Sequence, residues 1–322
     1  MKITVIFFTL FLSSLFIYGQ DYSKVDKIIK SYPTYFENID ELANRINYDF
    51  DSDTKKVRAL YNWLSLNINY DYYNDNFDLS ENRVLYYNEK DKKRQLRRKK
   101  LNKFRNVLKS QKAICLDYSE IFKEVCDRIG IQSVIISGYS KVYINDIDNE
   151  KNYKDHAWNA VKINNQWNLL DITWGSSFAN KKSKKIYNYY FFTSPEELIK
   201  THFPINSKWQ LIENKISKND FFKSPLFYAN YFISKIEIEN PHLGVIKANK
   251  RKLKIYFNKI PEKKTMSYIY SGDAYANPIN FKTTKEGKFL AIIHYKKSDD
   301  NQITIYSDLE PVIGFKINTS TD

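Results

Sequence analysis

The sequence contains few of the residues that build disulfide-rich and metal-binding proteins. Its 322 residues include two cysteines and four histidines. Cys115 and Cys126 fall in one predicted helix, which separates them by about 16 Å, whereas a disulfide needs Cα atoms within about 7 Å. The two thiols therefore cannot pair in that helix. His202, His242 and His294 lack partners at metal-ligand spacing, so we expect neither a metal nor another cofactor.

The sequence also lacks an apolar run long enough for a permanent membrane span. Lys2 is followed by an apolar stretch that ends near Ile17, whereas a spanning helix needs roughly 20 apolar residues. A cation, a short apolar run and a small residue such as Gly19 are typical of a signal peptide. We therefore expect residues 1–20 to be a signal peptide and the mature protein to be secreted, periplasmic or part of the cell envelope.

Acidic residues are fewer than basic residues, and the formal net charge is +14. Ten lysines and arginines lie between Lys90 and Arg105, against the single acid Asp91. Two interpretations of this segment stand: a solvated, mobile insertion at about residues 89–106, or an electrostatic surface for an acidic polymer or cell envelope. No motif of a nucleic-acid-binding module accompanies it, so nucleic acid is not an expected partner.

The length of the chain predicts two domains, because one compact core rarely organises so many residues. Residues 21–230 combine helical and strand patterns, whereas residues 231–322 alternate short strands with turns such as Gly272-Asp273 and Glu286-Gly287. We expect a mixed α+β domain followed by a small all-β sandwich.

Two helices are predicted from apolar residues at helical spacing. The first begins at Ser52 or Asp53, and its buried face comprises Val57, Leu60, Tyr61, Leu64 and Ile68. The second begins at Cys115 and ends at Gly130, where a left-handed residue terminates helices. Its apolar face comprises Tyr118, Ile121, Phe122, Val125 and Ile129.

Strands follow the second helix. Residues 131–136 form a buried strand pattern closed by Ser137-Gly138. Two further runs, residues 156–163 and 167–174, are separated by Asn164 and Asn165, and asparagine tolerates the positive φ angles of a tight hairpin. We therefore predict a β-hairpin with a two-residue loop.

The register of this hairpin decides whether two polar residues meet. With a two-residue loop Ile163 faces Gln166, and His156 then lies diagonal to Asp171 on the same face of the sheet. A loop longer by one residue would place these two side chains on opposite faces. The predicted register therefore pairs them.

Cys115, His156 and Asp171 together have the composition of a nucleophilic triad. A thiol attacks a carbonyl as thiolate, and a helix N-terminus or a neighbouring imidazolium favours that form. Cys115 begins a predicted helix, His156 can supply the imidazole, and Asp171 can orient it. Backbone N–H groups at the helix start could bind the developing oxyanion.

Three sequence blocks carry a family resemblance: residues 113–118 (AICLDY), 155–159 (DHAWN) and 170–175 (LDITWG). In order and spacing they resemble the transglutaminase-like superfamily, and residues 190–211 are similar to its kyphoscoliosis-peptidase-like branch. The resemblance covers about residues 54 to 212. Ala113 and Asp117 stand where the family often has glycine.

The resemblance implies a papain-like core with N-terminal helices and an antiparallel sheet, whose triad is Cys115, His156 and Asp171. It implies action on protein or peptide amides, by hydrolysis or by transfer to an amine. Trp158, Trp174 and Tyr118 are the expected substrate-binding residues, although the tryptophans could equally be core aromatics. The alternative is a catalytically inactive envelope protein that docks through its basic segment and β-domain.

Overall fold

The computed structural model describes residues 21–73, 84–176, 186–249, 251–296 and 300–318. The predicted signal peptide lies outside these ranges. None of the helices within them combines the length and the apolar character that crossing a membrane requires.

The helices of the first region pack around one hydrophobic core. Those in the described residues are α1 (Ser23–Lys30), α2 (Ile39–Asp49), α3 (Asp53–Asn67), α4 (Glu89–Ser110) and α5 (Cys115–Arg128). The predicted face of α3 is fully buried. Arg58, Asn62 and Trp63 are buried as well, because α3 is enclosed by its neighbours on more than one side. The prediction for this helix is confirmed.

Helix α5 begins at Cys115, as predicted. Two short parallel strands, β1 (Asn69–Tyr70) and β2 (Lys112–Ala113), lead into it. Its C-terminal end is followed by Gly130 with φ of +75°, a conformation that glycine adopts without strain. This strand pair and helix end hold Cys115 at a fixed place beside the sheet.

The basic segment is a regular helix, α4, which corrects its interpretation as a solvated, mobile insertion. Asn88 caps it by accepting the N–H of Asp91 at 2.9 Å. Phe104, Val107 and Leu108 face the core. The density of lysine and arginine obscured this apolar face in the sequence.

A five-stranded antiparallel sheet lies against α5, with strand order β6-β5-β4-β3-β7. Its strands are β3 (Ser133–Ser140), β4 (His156–Ile163), β5 (Gln166–Leu170), β6 (Phe191–Thr193) and β7 (His202–Pro204). The short helices α6 (Ile172–Gly175) and α7 (Pro195–Leu198) follow β5 and β6. The prediction of a papain-like α+β core with an antiparallel sheet is confirmed.

The β4–β5 hairpin has the predicted register. Ile163 pairs with Gln166, and Asn164 and Asn165 have φ of 50° and 63°. Two consecutive positive φ angles are those of the turn that suits the right-handed twist of a hairpin. The two-residue turn and the register of the hairpin are confirmed. The second predicted strand is too long, because β5 ends at Leu170 and residues 172–175 form helix α6, with Asp171 as its N-cap.

Strand β3 does not end at Ser137-Gly138, as the sequence had indicated, but continues to Ser140. A Cβ atom on Gly138 would lie 2.2 Å from the carbonyl oxygen of Phe203 and 2.6 Å from the ring of Trp158. Gly138 therefore permits close packing of β3 against its neighbours, and it does not mark a turn.

The C-terminal region consists of two β-sheets with a shared core. One sheet contains β8 (Leu226–Phe227), β10 (Val245–Lys247), β12 (Met266–Tyr270), β13 (Asn277–Pro278), β16 (Gln302–Ser307) and β17 (Glu310–Asn318). The other contains β9 (Glu237–Asn240), β11 (Lys252–Lys259), β14 (Phe281–Thr283) and β15 (Phe289–His294). Buried residues of both sheets form one hydrophobic cluster. The expected β-rich C-terminal region is therefore present.

The connection between the two regions contains α8 (Lys218–Lys223) and α9 (Ala229–Ile233). Strand β8 lies between these helices and pairs with β17. Residues 226–227 thus already belong to a sheet of the C-terminal region. A division of the chain between residues 230 and 231 stays a prediction.

Candidate active site

The β4–β5 hairpin brings His156 and Asp171 into contact. His156 is the first residue of β4, and Asp171 follows the last residue of β5. His156 Nε2 lies 2.6 Å from Asp171 Oδ2, and both side chains are buried. The structure therefore joins two of the three residues that the sequence had grouped.

His156 and Asp171 each stabilise the charged form of the other. Burial acts to lower the pKa of His156, but Asp171 and then Cys115 outweigh it and raise that pKa to about 10. Burial acts to raise the pKa of Asp171, but His156 and His202 outweigh it and hold that pKa well below its usual range. The pair is thus an imidazolium and a carboxylate at neutral pH.

Cys115 is the first residue of α5, and its side chain is a buried free thiol. Cys115 is among the groups that raise the pKa of the His156 imidazole. His156 Nε2 is occupied by Asp171, which leaves Nδ1 as the other ring nitrogen. Cys115 therefore lies at the N-terminal end of a helix, and its influence on the pKa of His156 indicates that it is near the imidazole.

Asp117 lies in the first turn of α5, two residues after Cys115. Its Oδ2 accepts the N–H of Ile114 at 3.0 Å, which satisfies one of the free donors at the helix start. Lys103 Nζ of α4 lies 2.6 Å from its Oδ1. The negative charge of Asp117 is thus paired with α4.

His202 is a member of the site that the sequence analysis missed. The sequence gives His202 no partner at metal-ligand spacing, but in the structure His202 Nε2 lies 2.9 Å from Asp171 Oδ2 and its Nδ1 lies 2.8 Å from Thr201 Oγ1. Burial, the largest influence, lowers the pKa of His202. Asp171 precedes it by 31 residues, so neither helical nor strand spacing connects them. The available signal was that His202 lies within residues 190–211, which are similar to the kyphoscoliosis-peptidase-like branch.

The three predicted substrate-binding aromatics have different positions. Trp174 borders a cavity next to His156. Trp158 is 1% exposed and stacks on the His156 ring at 5.9 Å between centroids, so it is a core aromatic beneath the histidine. Tyr118 is also 1% exposed and donates its hydroxyl to the carbonyl of Ile68. Both side chains pack within the core, and substrate contact by Trp158 and Tyr118 stays a prediction.

A cavity of about 630 Å³ opens beside His156. Thr173, Trp174 and Tyr190 border it on the side of the first region. Leu226–Tyr228 and Glu310–Pro311 border it on the side of the C-terminal region. The cavity therefore lies between the two regions and reaches the imidazole.

His156, Asp171 and His202 also have the composition of a metal site, with ligand atoms within 4.8 Å of one another. Nitrogen ligands of a tetrahedral zinc ion, at about 2.0–2.1 Å from the metal, would lie about 3.3 Å apart. Both imidazole nitrogens are closer than this to Asp171 Oδ2, at 2.6 and 2.9 Å. These distances fit direct hydrogen bonds, and the absence of a metal stays a prediction.

A comparison with known protein families identifies the domain that contains Cys115, His156 and Asp171. Residues 40–172 match the family model of the transglutaminase-like superfamily. This part of the chain is therefore a transglutaminase-like domain.

The chain is also similar to curated proteins of known name. Kyphoscoliosis peptidase of Homo sapiens is 30% identical over 221 residues, which are 67% of this chain and 30% of that protein. Kyphoscoliosis peptidase of Mus musculus is 30% identical over 219 residues, or 66% of this chain and 30% of that protein. Hillarin of Drosophila melanogaster is 23% identical over 216 residues, 62% of this chain and 23% of that protein. The chain thus matches less than a third of the length of these relatives.

Proposed function

We propose that this protein is a cysteine enzyme that acts on amide bonds of proteins or peptides by acyl transfer. The observation that carries the proposal is the buried His156–Asp171 pair, 2.6 Å apart. The Cys115 thiol at the start of α5 is among the groups that raise the pKa of His156. An imidazolium and a helix N-terminus both favour the thiolate form of a cysteine.

The reaction we propose has two halves. The Cys115 thiolate attacks the amide carbon, a C–S bond forms, and His156 donates its proton to the leaving nitrogen as the C–N bond breaks. Water or a lysine amine then attacks the thioester, His156 accepts its proton, and the thiolate is released. Asp171 keeps the imidazole oriented throughout.

Backbone groups at the start of α5 supply the oxyanion site in this proposal. The first N–H groups of a helix have no partner within the helix and point toward its N-terminus. The N–H of Cys115 is among them, since α5 begins at this residue. Donors already oriented toward the developing charge lower the barrier without reorganisation.

The cavity beside His156 is the proposed substrate site. Its walls include aromatic side chains, among them Trp174, Tyr190 and Phe227, so a bulky apolar side chain of the substrate would fit against them.

Two parallel assays test this function and separate hydrolysis from transfer. One follows cleavage of a mixed peptide pool by mass spectrometry, and the other follows coupling of a labelled amine to a glutamine peptide. Hydrolysis is our first expectation, because similar proteins are named peptidases. We expect Cys115→Ala to abolish either activity and Cys126→Ala to preserve it. Product formation by Cys115→Ala at the wild-type rate would refute the mechanism.

A non-catalytic docking role is supported by a separate observation, the exposed side of α4. Arg97 and Lys100 pair with Glu124, and Lys103 pairs with Asp117 and Glu120. Lys93, Arg98 and Arg105 lie on exposed positions of the same helix. We propose that this face binds an acidic polymer of the cell envelope and that export depends on the predicted signal peptide.

Salt dependence tests the docking proposal. Retention on an immobilised sulfated polysaccharide should fall steeply with salt, because charged surfaces are screened. A variant with Lys93→Gln, Arg98→Gln and Arg105→Gln should elute at lower salt, while Lys282→Gln in exposed β14 serves as a single-charge control. Unchanged elution of the triple variant would contradict docking through α4.

A further inference from the structure

We infer that His202 is a positioning residue for the proposed triad: it donates a hydrogen bond from Nε2 to Asp171 and so holds the carboxylate against His156. The inference rests on the proposed function of Cys115. It adds a fourth side chain, from β7, to a site otherwise built on α5 and the β4–β5 hairpin.

The first argument is the set of groups around the Asp171 carboxylate. Oδ1 accepts the N–H of Trp174 at 3.0 Å. Oδ2 lies 2.6 Å from His156 Nε2 and 2.9 Å from His202 Nε2. The pKa of Asp171 is held well below its usual range, and an ionised carboxylate can only accept hydrogen bonds. Both imidazoles must therefore carry a proton on Nε2.

The second argument is the partner of the other ring nitrogen of His202. Nδ1 lies 2.8 Å from the hydroxyl oxygen of Thr201. Burial lowers the pKa of His202, so its ring is neutral, and a neutral ring with Nε2–H has a lone pair on Nδ1. The Thr201 hydroxyl can donate its proton to that lone pair. Its oxygen lies 2.8 Å from His202 Nδ1 and 3.2 Å from the alternative acceptor, the carbonyl oxygen of Leu198. Thr201 thus selects the tautomer that serves Asp171.

The third argument is the contrast between the two imidazoles. Their ring centroids are 5.2 Å apart, and they share one carboxylate. The pKa of His156 is raised and that of His202 is lowered, so one ring is charged and the other neutral. A neutral donor orients the carboxylate without cancelling the negative charge that stabilises His156. Trp158 and Trp174 enclose His202 at centroid distances of 5.2 and 4.5 Å and limit its movement.

The test compares two substitutions of His202 with iodoacetamide as the probe. His202→Phe retains an aromatic ring but removes both ring nitrogens, whereas His202→Gln can place an amide N–H near the position of Nε2. The measured quantity is the alkylation rate of Cys115 near pH 6, where an ordinary thiol is mostly protonated. Mass spectrometry of the Cys115 peptide gives this rate without knowledge of the natural substrate.

We expect His202→Phe to slow alkylation by about 10- to 100-fold, the effect of losing a hydrogen bond to a buried charge. His202→Gln should remain within about threefold of the wild type, because the donor is retained. A packing role alone would not predict rescue by glutamine. Wild-type rates in His202→Phe, or a rate in His202→Gln as low as in His202→Phe, would overturn the inference.

Nitrogen NMR of the wild-type protein gives a result that does not depend on whether a variant folds. We expect the His202 ring to carry its proton on Nε2 and none on Nδ1. Observation of the Nδ1–H tautomer would overturn the inference, because Nε2 would then have no proton to donate to Asp171.

The two proposals fail in different ways. If wild-type Cys115 reacts no faster than glutathione near pH 6, the proposed function is wrong. If wild-type Cys115 reacts rapidly and His202→Phe reacts equally fast, only the positioning role is wrong.

Discussion

The two ends of α5 carry the two cysteines of the chain in contrasting surroundings. Cys115 is the first residue of the helix and helps to raise the pKa of His156, whereas Cys126 lies near the end of the helix within the hydrophobic core. Both are almost fully buried, at 2% and 0% exposure. Burial raises the pKa of the Cys126 thiol to about 12. Burial alone therefore does not make a thiol suitable for chemistry; it also needs charged and hydrogen-bonding neighbours.

In the second half of α5, a charged residue forms ion pairs that stabilise packing. Glu124, one turn from Arg128, forms ion pairs with Arg128 of the same helix and with Arg97 and Lys100 of α4. These contacts attach the basic helix to the C-terminal half of α5. In the proposed mechanism the start of the helix serves the reaction and its end serves packing, and the three substitutions below test that division.

The largest expected effect follows from Asp171→Asn. An amide cannot stabilise the imidazolium and can favour the wrong imidazole tautomer, so activity should fall by about 10³- to 10⁴-fold. Alkylation of Cys115 by iodoacetamide near pH 6 should slow in parallel, while Cys126 stays unreactive in the folded protein. If Cys115 kept its reactivity in this variant, the contrast between the two thiols would need another cause.

A moderate effect is expected for Glu124→Gln. The substitution removes the acid that pairs with Arg97, Lys100 and Arg128, whose side chains are 48%, 37% and 16% exposed, so solvent limits the loss. We expect the free energy of unfolding to fall by about 1–2 kcal/mol in urea titrations. Cys115 alkylation should be unchanged, and a large change in that rate would show that the two ends of α5 are coupled.

The smallest effect is a change in the pH dependence of stability on Cys126→Ala. The pKa of Cys126 is about 12 in the folded protein, against an ordinary value of 9.0. Between these values the unfolded chain releases a proton that the folded protein retains, so the thiol makes stability fall as pH rises. Below pH 9 the thiol is protonated in both states.

The variant should therefore lose stability less steeply above pH 9, by up to about 1.4 kcal/mol per pH unit. Urea titrations at pH 8 and pH 10.5 measure the difference, with the wild type as reference. Parallel slopes for the two proteins would mean that Cys126 ionises as readily in the folded state as in the unfolded one.

Much of the fold follows from patterns within short segments of the sequence. The faces of α3 and α5 follow from helical spacing, and the start of α5 was predicted at the residue where it occurs. The register of the hairpin followed from two asparagines, because a two-residue turn determines which strand residues face each other. The contact of His156 with Asp171 is a direct consequence of that register.

Other predictions needed information that local sequence does not contain. The segment at residues 89–106 was interpreted as an insertion, because its charge outweighed the three apolar residues that dock α4 on the core. Trp158 and Tyr118 were assigned to substrate binding from their proximity to the triad residues along the chain. Both are enclosed by neighbouring elements, which no pattern within their own strand or helix can reveal.

The sequence by itself determined the elements that begin at Cys115 and His156, since helix starts and hairpin turns depend on residues close together in the chain. The tertiary structure alone decided that His202 joins them. His202 lies on β7, which pairs with β3, whereas the hairpin strand β5 lies on the other side of β4. It also decided that the cavity beside His156 is bordered by residues of the C-terminal region. Contacts between distant segments depend on how whole elements pack, and packing is a property of the assembled fold.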